Sequence, residues 1–242
     1  MRENSKSKIY KRKINHSSSS DKVKHENEEP EKKNQARKKI EQEAGGIDFE
    51  YMLKIPKSRI APLIGTKGRT KSRLEVESGC ELGIDSSEGE VRISGNNPIK
   101  LFELRNVVLA IGRGFNPEIA ENLFKKDYTL EILNIRDYAK TKNSIIRLRG
   151  RVIGEKGKSR KTIEQLTDTN ICVFGKTVSI IGHVYDVRDA KRAVDSLLEG
   201  GRHANVYSWL EKRRKERIKE EQIDFNEFKF SDEEEKKFVR EN

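Results

Sequence analysis

The chain has 242 residues, a formal net charge of +11, and 33% hydrophobic against 38% charged residues. That apolar content argues against one large core, and no apolar run is long enough to span a bilayer. The two cysteines, Cys80 and Cys172, stand far apart and outside any CxxC pair. That spacing favours two small buried thiols in a reducing compartment over a disulfide or a metal site.

Residues 1–47 read as a disordered charged tail. They hold the run Ser17-Ser18-Ser19-Ser20, many charges and a terminal Gly45-Gly46. Such a segment buries too little apolar surface to offset its ordering entropy. A stretch near 31–43 has the composition of a transient helix. No apolar signal core opens the chain, and a cytoplasmic protein is expected.

A first module is expected over 48–115. It begins with a strand at 49–55 and a short helix at 57–64 that turns Ile60 and Leu63 inward. Pro56 stands just before that helix, where proline costs little. The turn Gly65–Gly68 leads to a helix at 69–77, which Gly79 ends. Strands at 81–85 and 90–94 flank Ser86-Ser87-Glu88-Gly89. A helix at 98–111 closes the order β-α-α-β-β-α.

Residues 116–128 read as a linker with a helical stretch around 117–125. A second module at 129–201 repeats the order: strand 129–135, helix 144–153, helix 158–166, strands 170–174 and 177–181 around Gly175-Lys176, and helix 184–198. An insertion at 136–143 enlarges this copy. Residues 202–221 fit an amphipathic helix with a basic face, through Val206, Trp209, Leu210, Arg213 and Arg217. The end, 222–242, alternates Phe225, Phe228, Phe230 and Phe238 with acids and reads as a flexible or peptide-like tail.

The modules are copies. Ile64-Gly65-Thr66-Lys67-Gly68-Arg69 matches Ile153-Gly154-Glu155-Lys156-Gly157-Lys158. The match continues without gaps from Lys71, Leu74, Glu75 and Ile84 to Arg160, Ile163, Glu164 and Val173. After a loop two residues longer in the first copy, Val91–Gly95 matches Val178–Gly182. The closing helices follow, with apolar positions Ile99, Phe102, Val107 and Ile111 in one and Val187, Ala190, Val194 and Leu198 in the other. Two copies are too few for a solenoid and point to two small domains.

Charge concentrates at the repeated turns. The windows 54–73 and 147–161 carry seven Lys and Arg each, and between them a single acid, Glu155. A GxxG turn between helices lets a ligand approach the backbone closely. It also presents unpaired amides and the positive end of a helix dipole to an anion. Phosphate is the anion that Lys67, Arg69 and Lys71, or Lys156, Lys158 and Arg160, would surround. Ile60, Ile64 and Ile153 would floor the groove under the bases. Arg147, Arg149 and Arg151 extend the second basic track along its helix.

These residues resemble the KH domain, whose GXXG loop clamps about four nucleotides of a single strand. The element order is that of the type I fold. The expected class is therefore α+β: two tandem type I KH domains with disordered charged tails. Glu155 departs from the basic pattern of such loops. The segment Arg149–Lys161, the stretch from Tyr185 onward and the trailing Gly201–Tyr207 are similar to the two-KH proteins of archaeal ribosome assembly and to the eukaryotic "partner of Nob" factors. The resemblance covers roughly residues 48–215. It implies an RNA-binding ribosome biogenesis factor acting near the 3′ end of the small-subunit rRNA precursor; the residues themselves leave open a general single-stranded RNA binder of the exosome or mRNA-regulation kind, or a protein scaffold for a PIN nuclease or initiation factor. As partners it implies single-stranded rRNA, a PIN-domain endonuclease and the alpha subunit of translation initiation factor 2. Together with the charge pattern it gives the candidate RNA contacts: Lys57, Arg59, Ile64, Gly65, Thr66, Lys67, Gly68, Arg69 and Lys71 in the first copy, and Arg147, Arg149, Arg151, Ile153, Gly154, Glu155, Lys156, Gly157, Lys158, Arg160 and Lys161 in the second.

Nothing in the pattern calls for catalysis, a cofactor, a metal or a membrane. Lys71-Ser72 imitates the end of a P-loop, but Thr70 stands where that motif needs glycine. His16, His25, His183 and His203 are scattered, and no nucleophilic triad, carboxylate cluster or zinc spacing is present.

Overall fold

The computed structural model describes residues 49–220. The expected tail at 1–47, its helical stretch near 31–43 and the end at 222–242 lie outside the described residues. The chain divides between Gly112 and Arg113 into two units.

The first unit runs β1 (Phe49–Lys54), a 3-10 turn (Lys57–Arg59), α1 (Ile60–Ile64), α2 (Arg69–Ser78), β2 (Glu81–Asp85), β3 (Glu90–Gly95) and α3 (Pro98–Gly112). Its antiparallel sheet has the order β1-β3-β2. Alternation sends Leu53, Leu82, Val91 and Ile93 to one face, where they are buried with Ile60, Leu63 and Leu74. The opposite face carries half-exposed Met52 and an Arg92–Glu50 ion pair at 2.8 Å. On α3 the buried stripe is Leu101, Leu104, Val107, Val108 and Ile111. Ile99 and Phe102, read from the repeat as apolar positions of this helix, are 68% and 52% exposed. Helical pitch places the start of the stripe at 101 and 104, so those two lie off it.

The second unit repeats the plan with β4 (Tyr128–Asn134), α5 (Lys142–Ile153), α6 (Lys158–Thr167), β5 (Asn170–Phe174), β6 (Thr177–His183) and α7 (Val184–Leu198), preceded by a short α4 (Pro117–Ala120). The sheet order is β4-β6-β5, again antiparallel. Leu148, Val152, Ile163, Ile171, Val178, Ile180, Val187, Val194 and Leu197 make the core. Helix α5 starts two residues earlier than the sequence suggests, because Thr141 caps it: its hydroxyl accepts from the Ser144 amide at 3.2 Å. The insertion thus shrinks to a 3-10 turn at Ile135–Asp137 and a short connection.

One polar device occurs in both units. The Glu75 carboxylate accepts from the Leu82 amide at 2.9 Å, and Glu164 accepts from the Ile171 amide at 2.7 Å. Each ties the helix after the turn to the strand that follows, and each carboxylate also pairs with a cation one turn earlier, Lys71 or Arg160.

The segment read as a linker is packed. Phe115, Ala120 and Leu123 are buried. The 3-10 turn Glu121–Phe124 lies against β4 and β6, and a side chain on Gly114 would strike Cys172 and Phe174. Consequently Ser179 and Ile181, which point away from the helices, are as buried as Val178 and Ile180, which point toward them. The central strand β6 is covered on both faces.

Residues 203–220 form a further helix, α8. Val206 and Leu210 join the core of the second unit. The face expected to be basic is partly committed to ion pairs: Arg217 pairs with Asp186 of α7, and Arg213 lies 3.6 Å from Asp189. Cys80 is buried and Cys172 half-buried, and neither is in a disulfide. Burial pushes the Cys80 thiol above its ordinary range, as suits an inert packing residue. Among the described residues no helix is long and apolar enough to cross a membrane.

Candidate nucleic-acid interface

The two GxxG turns have nearly the same backbone. Gly65 has φ 72° and ψ 178°, and Gly154 has φ 72° and ψ 176°. Lys67 and Lys156 both sit in the left-handed region, at φ 53° and 50°. Gly68 and Gly157, at φ 77° and 79°, lead into α2 and α6. A non-glycine residue at positive φ is uncommon and costs of order 1–3 kcal/mol. Finding it twice, at the lysine of each loop, marks these as built turns whose backbone conformation holds each lysine outward at the start of a helix.

The candidate residues fall into distinct positions. Lys57, Thr66, Lys67 and Arg69 are exposed around the first turn; Arg147, Glu155, Lys156, Lys158 and Lys161 are exposed around the second. Ile64 and Ile153 are half-buried beneath their loops. Lys71 and Arg160 stand by their turns but share their charge with Glu75 and Glu164. Two arginines serve the fold. Arg59 Nε donates to the Ile111 carbonyl at 2.8 Å, and Arg151 Nε donates to the Leu197 carbonyl at 3.0 Å. Arg151 also donates to Gly201. These are last-turn carbonyls of α3 and α7, beyond the regular i→i+4 ladder; that of Leu197 also accepts from the Gly200 amide at 3.2 Å. Arg59 and Arg151 therefore latch the closing helices rather than extend a free basic track.

In the second unit a groove of about 770 Å³ opens between α5 and the β5–β6 turn. Ile145 and Ile146 form its apolar side, and Arg149, Lys142 and Lys176 bring charge to it. Ile146 is 55% exposed. Arg149 Nε is buried and has no hydrogen-bond partner among the described residues, a condition that a ligand acceptor would relieve. Reading the sequence missed Ile145, Ile146, Lys142 and Lys176. The available signal was Ile146, an isoleucine off the buried stripe of Leu148 and Val152. An apolar wall with convergent donors suits a planar base and its phosphate.

Residues 129–215 match the family described as "Eukaryotic type KH-domain (KH-domain type I)", in its PNO1-type second-domain form, and residues 50–108 match the "KH domain" family. A KH domain-containing protein of Methanocaldococcus jannaschii is 50% identical over 167 residues, spanning 67% of this chain and 73% of the relative. The chain belongs to the two-KH, PNO1-type family. The KH fold is thus present twice, as β-α-α-β-β-α units with three-stranded antiparallel sheets. The RNA-binding protein pno1 of Dictyostelium discoideum is 26% identical over 162 residues, 64% of this chain and 68% of that protein. Among solved structures, a Pyrococcus horikoshii complex of a/eIF2alpha, aDim2p and rRNA contains a chain 41% identical to this one, with a TM-score of 0.68, covering 72% of this chain and 99% of that one. Dim2p of the same organism, crystallised by itself, is 42% identical with a TM-score of 0.64, covering 67% and 98%. Among the described residues no group of three or more His, Cys, Asp or Glu is placed to hold a metal ion.

Proposed function

We propose that this protein is a non-enzymatic ribosome biogenesis factor that binds single-stranded rRNA near the 3′ end of the small-subunit precursor and assists its maturation. The observation that carries the reading is the pair of GxxG turns with matching dihedrals, each holding a lysine outward at a helix start. The similar aDim2p chain, solved with rRNA, supports the ligand class. In this reading Lys67, Lys156 and the surrounding loop amides hold phosphates, while Ile64, Ile153 and the groove beside Arg149 receive bases. Lys57, Arg69, Arg147, Lys158 and Lys161 contribute positive field, Thr66 offers a hydroxyl, and Glu155 weakens the field locally. The alpha subunit of initiation factor 2 is a proposed partner on the same similarity. A PIN-domain endonuclease is proposed on the maturation role, with the cytoplasm as the compartment.

The test is binding of the full chain to a small-subunit rRNA 3′ fragment and to unrelated RNA of equal length, with and without the double substitution Lys67→Asp, Lys156→Asp. The expected result is preference for the rRNA fragment by the wild type and an affinity loss of at least about tenfold in the variant. Equal binding to both RNAs points to a general single-strand binder. Unchanged RNA affinity in the variant overturns the phosphate assignment.

A further inference from the structure

The second KH domain has a recess on the side of α5 facing away from the base groove. Its volume is about 530 Å³, and it is bounded by Gly150, Gly154, Lys158, Ser159, His203 and Tyr207. The last two come from α8, which only this unit possesses among the described residues.

Three observations mark it as a built site. First, Ser159 is 4% exposed, and its Oγ is buried without a hydrogen-bond partner among the described residues. It sits in the first turn of α6, beneath Gly154, where an anion is favoured. A buried hydroxyl left unpaired implies an absent partner. Second, Gly150 is exposed in the interior of α5, and a side chain there would meet nothing within 4 Å. Glycine weakens a helix interior, and no neighbour in the fold requires it here. What it does is keep the recess open. Third, the walls are held in place. The His203 ring bonds the Arg151 carbonyl at 2.9 Å, Arg151 donates to Gly201, and the His203 and Tyr207 rings lie 6.0 Å apart.

Arg147 and Lys158 make the rim cationic, against one acid, Glu155. A phosphate donor, a cationic rim and an adjacent phenol ring together match one nucleotide: phosphate toward Ser159 and Lys158, base on Tyr207.

We propose that this recess binds one further nucleotide of single-stranded RNA, taken from the strand after it passes over the second GxxG turn, so that RNA wraps the end of α5. This rests on the RNA-binding reading above and adds a position to it.

Fluorescence anisotropy of the full chain with oligoribonucleotides of about four and about eight residues tests it. Gly150→Gln fills the recess with a better helix former, and Tyr207→Ala removes the stacking face. The expected result is an affinity loss of about tenfold for the longer RNA in both variants, with the shorter RNA bound as by the wild type. The melting temperature of Gly150→Gln should be at or above that of the wild type. If both variants keep full affinity for the longer RNA, the recess is not a nucleotide site and the groove reading stands. If both RNAs weaken equally, the variants act on the clamp and the extra position is refuted. If the wild type binds neither RNA, the RNA-binding reading itself fails.

Discussion

The glycines of each loop do different work. A side chain on Gly65 would come within 2.2 Å of Thr70 Oγ1, and one on Gly154 within 2.6 Å of the Ser159 amide nitrogen. Gly68 and Gly157 face open space and are constrained only by positive φ. Gly65→Ala and Gly154→Ala should therefore cost several kcal/mol of stability, combining steric clash with a backbone region open only to glycine. Gly68→Ala and Gly157→Ala should cost about 1–2 kcal/mol. Urea unfolding of the four variants checks the order, and equal losses contradict it. A related contrast lies at the far ends of the same helices. Gly79 ends α2 at φ 67°, whereas Asp168 ends α6 in the same left-handed region at φ 50°. Relieving Asp168 by Asp168→Gly should stabilise the second domain by a few tenths of a kcal/mol to about 1 kcal/mol, read as a rise in its urea midpoint.

At the scale of elements, the second domain depends on two pieces that lie beyond its six-element repeat. Leu210 of α8 is 1% exposed, and Leu123 of the 3-10 turn is 5% exposed. Leu210→Ala should cost about 2–5 kcal/mol, the usual range for a buried leucine. Leu123→Asp should cost at least as much, by placing a charge against a covered sheet. Calorimetry should show both losses, and a surface-sized loss at either position would mean the segment does not pack. These dockings explain where sequence reading stopped short. The strands, the paired helices and the turns were legible because their periodicity and glycines are local signals. The packing of 115–124 was not: Ile119, Ala120, Leu123 and Phe124 carry a helical spacing, but so short a segment gives no local signal of the sheet it docks against. The covered face of β6 offered a clue in the run Val178-Ser179-Ile180-Ile181, which does not alternate as a half-exposed strand would. Similarly, Lys67 and Lys156 were readable from the motif, whereas the roles of Arg59 and Arg151 depend on carbonyls some fifty residues away.

Across the whole molecule, the net charge of +11 combines with two separate clusters of cations. If the strand neutralises about five phosphates, the slope of log affinity against log salt should be near −3.5, at roughly 0.7 per phosphate. The Lys67→Asp, Lys156→Asp variant should be shallower by about 1.4, on the same accounting. Titrations from low to high salt measure both slopes, and an unchanged slope in the variant would remove those lysines from the contact set.

The two arginine latches carry a further consequence. Arg59 and Arg151 reach matching carbonyls, yet they depart from unlike rungs. Counting from the first glycine of each loop, Arg59 corresponds to Leu148 and Arg151 to Pro62. The halves have diverged beyond interchange: grafting the leading helix of one half into the other would seat a guanidinium where Leu148 now fills the interior, and would cut the tie from that helix to the closing one.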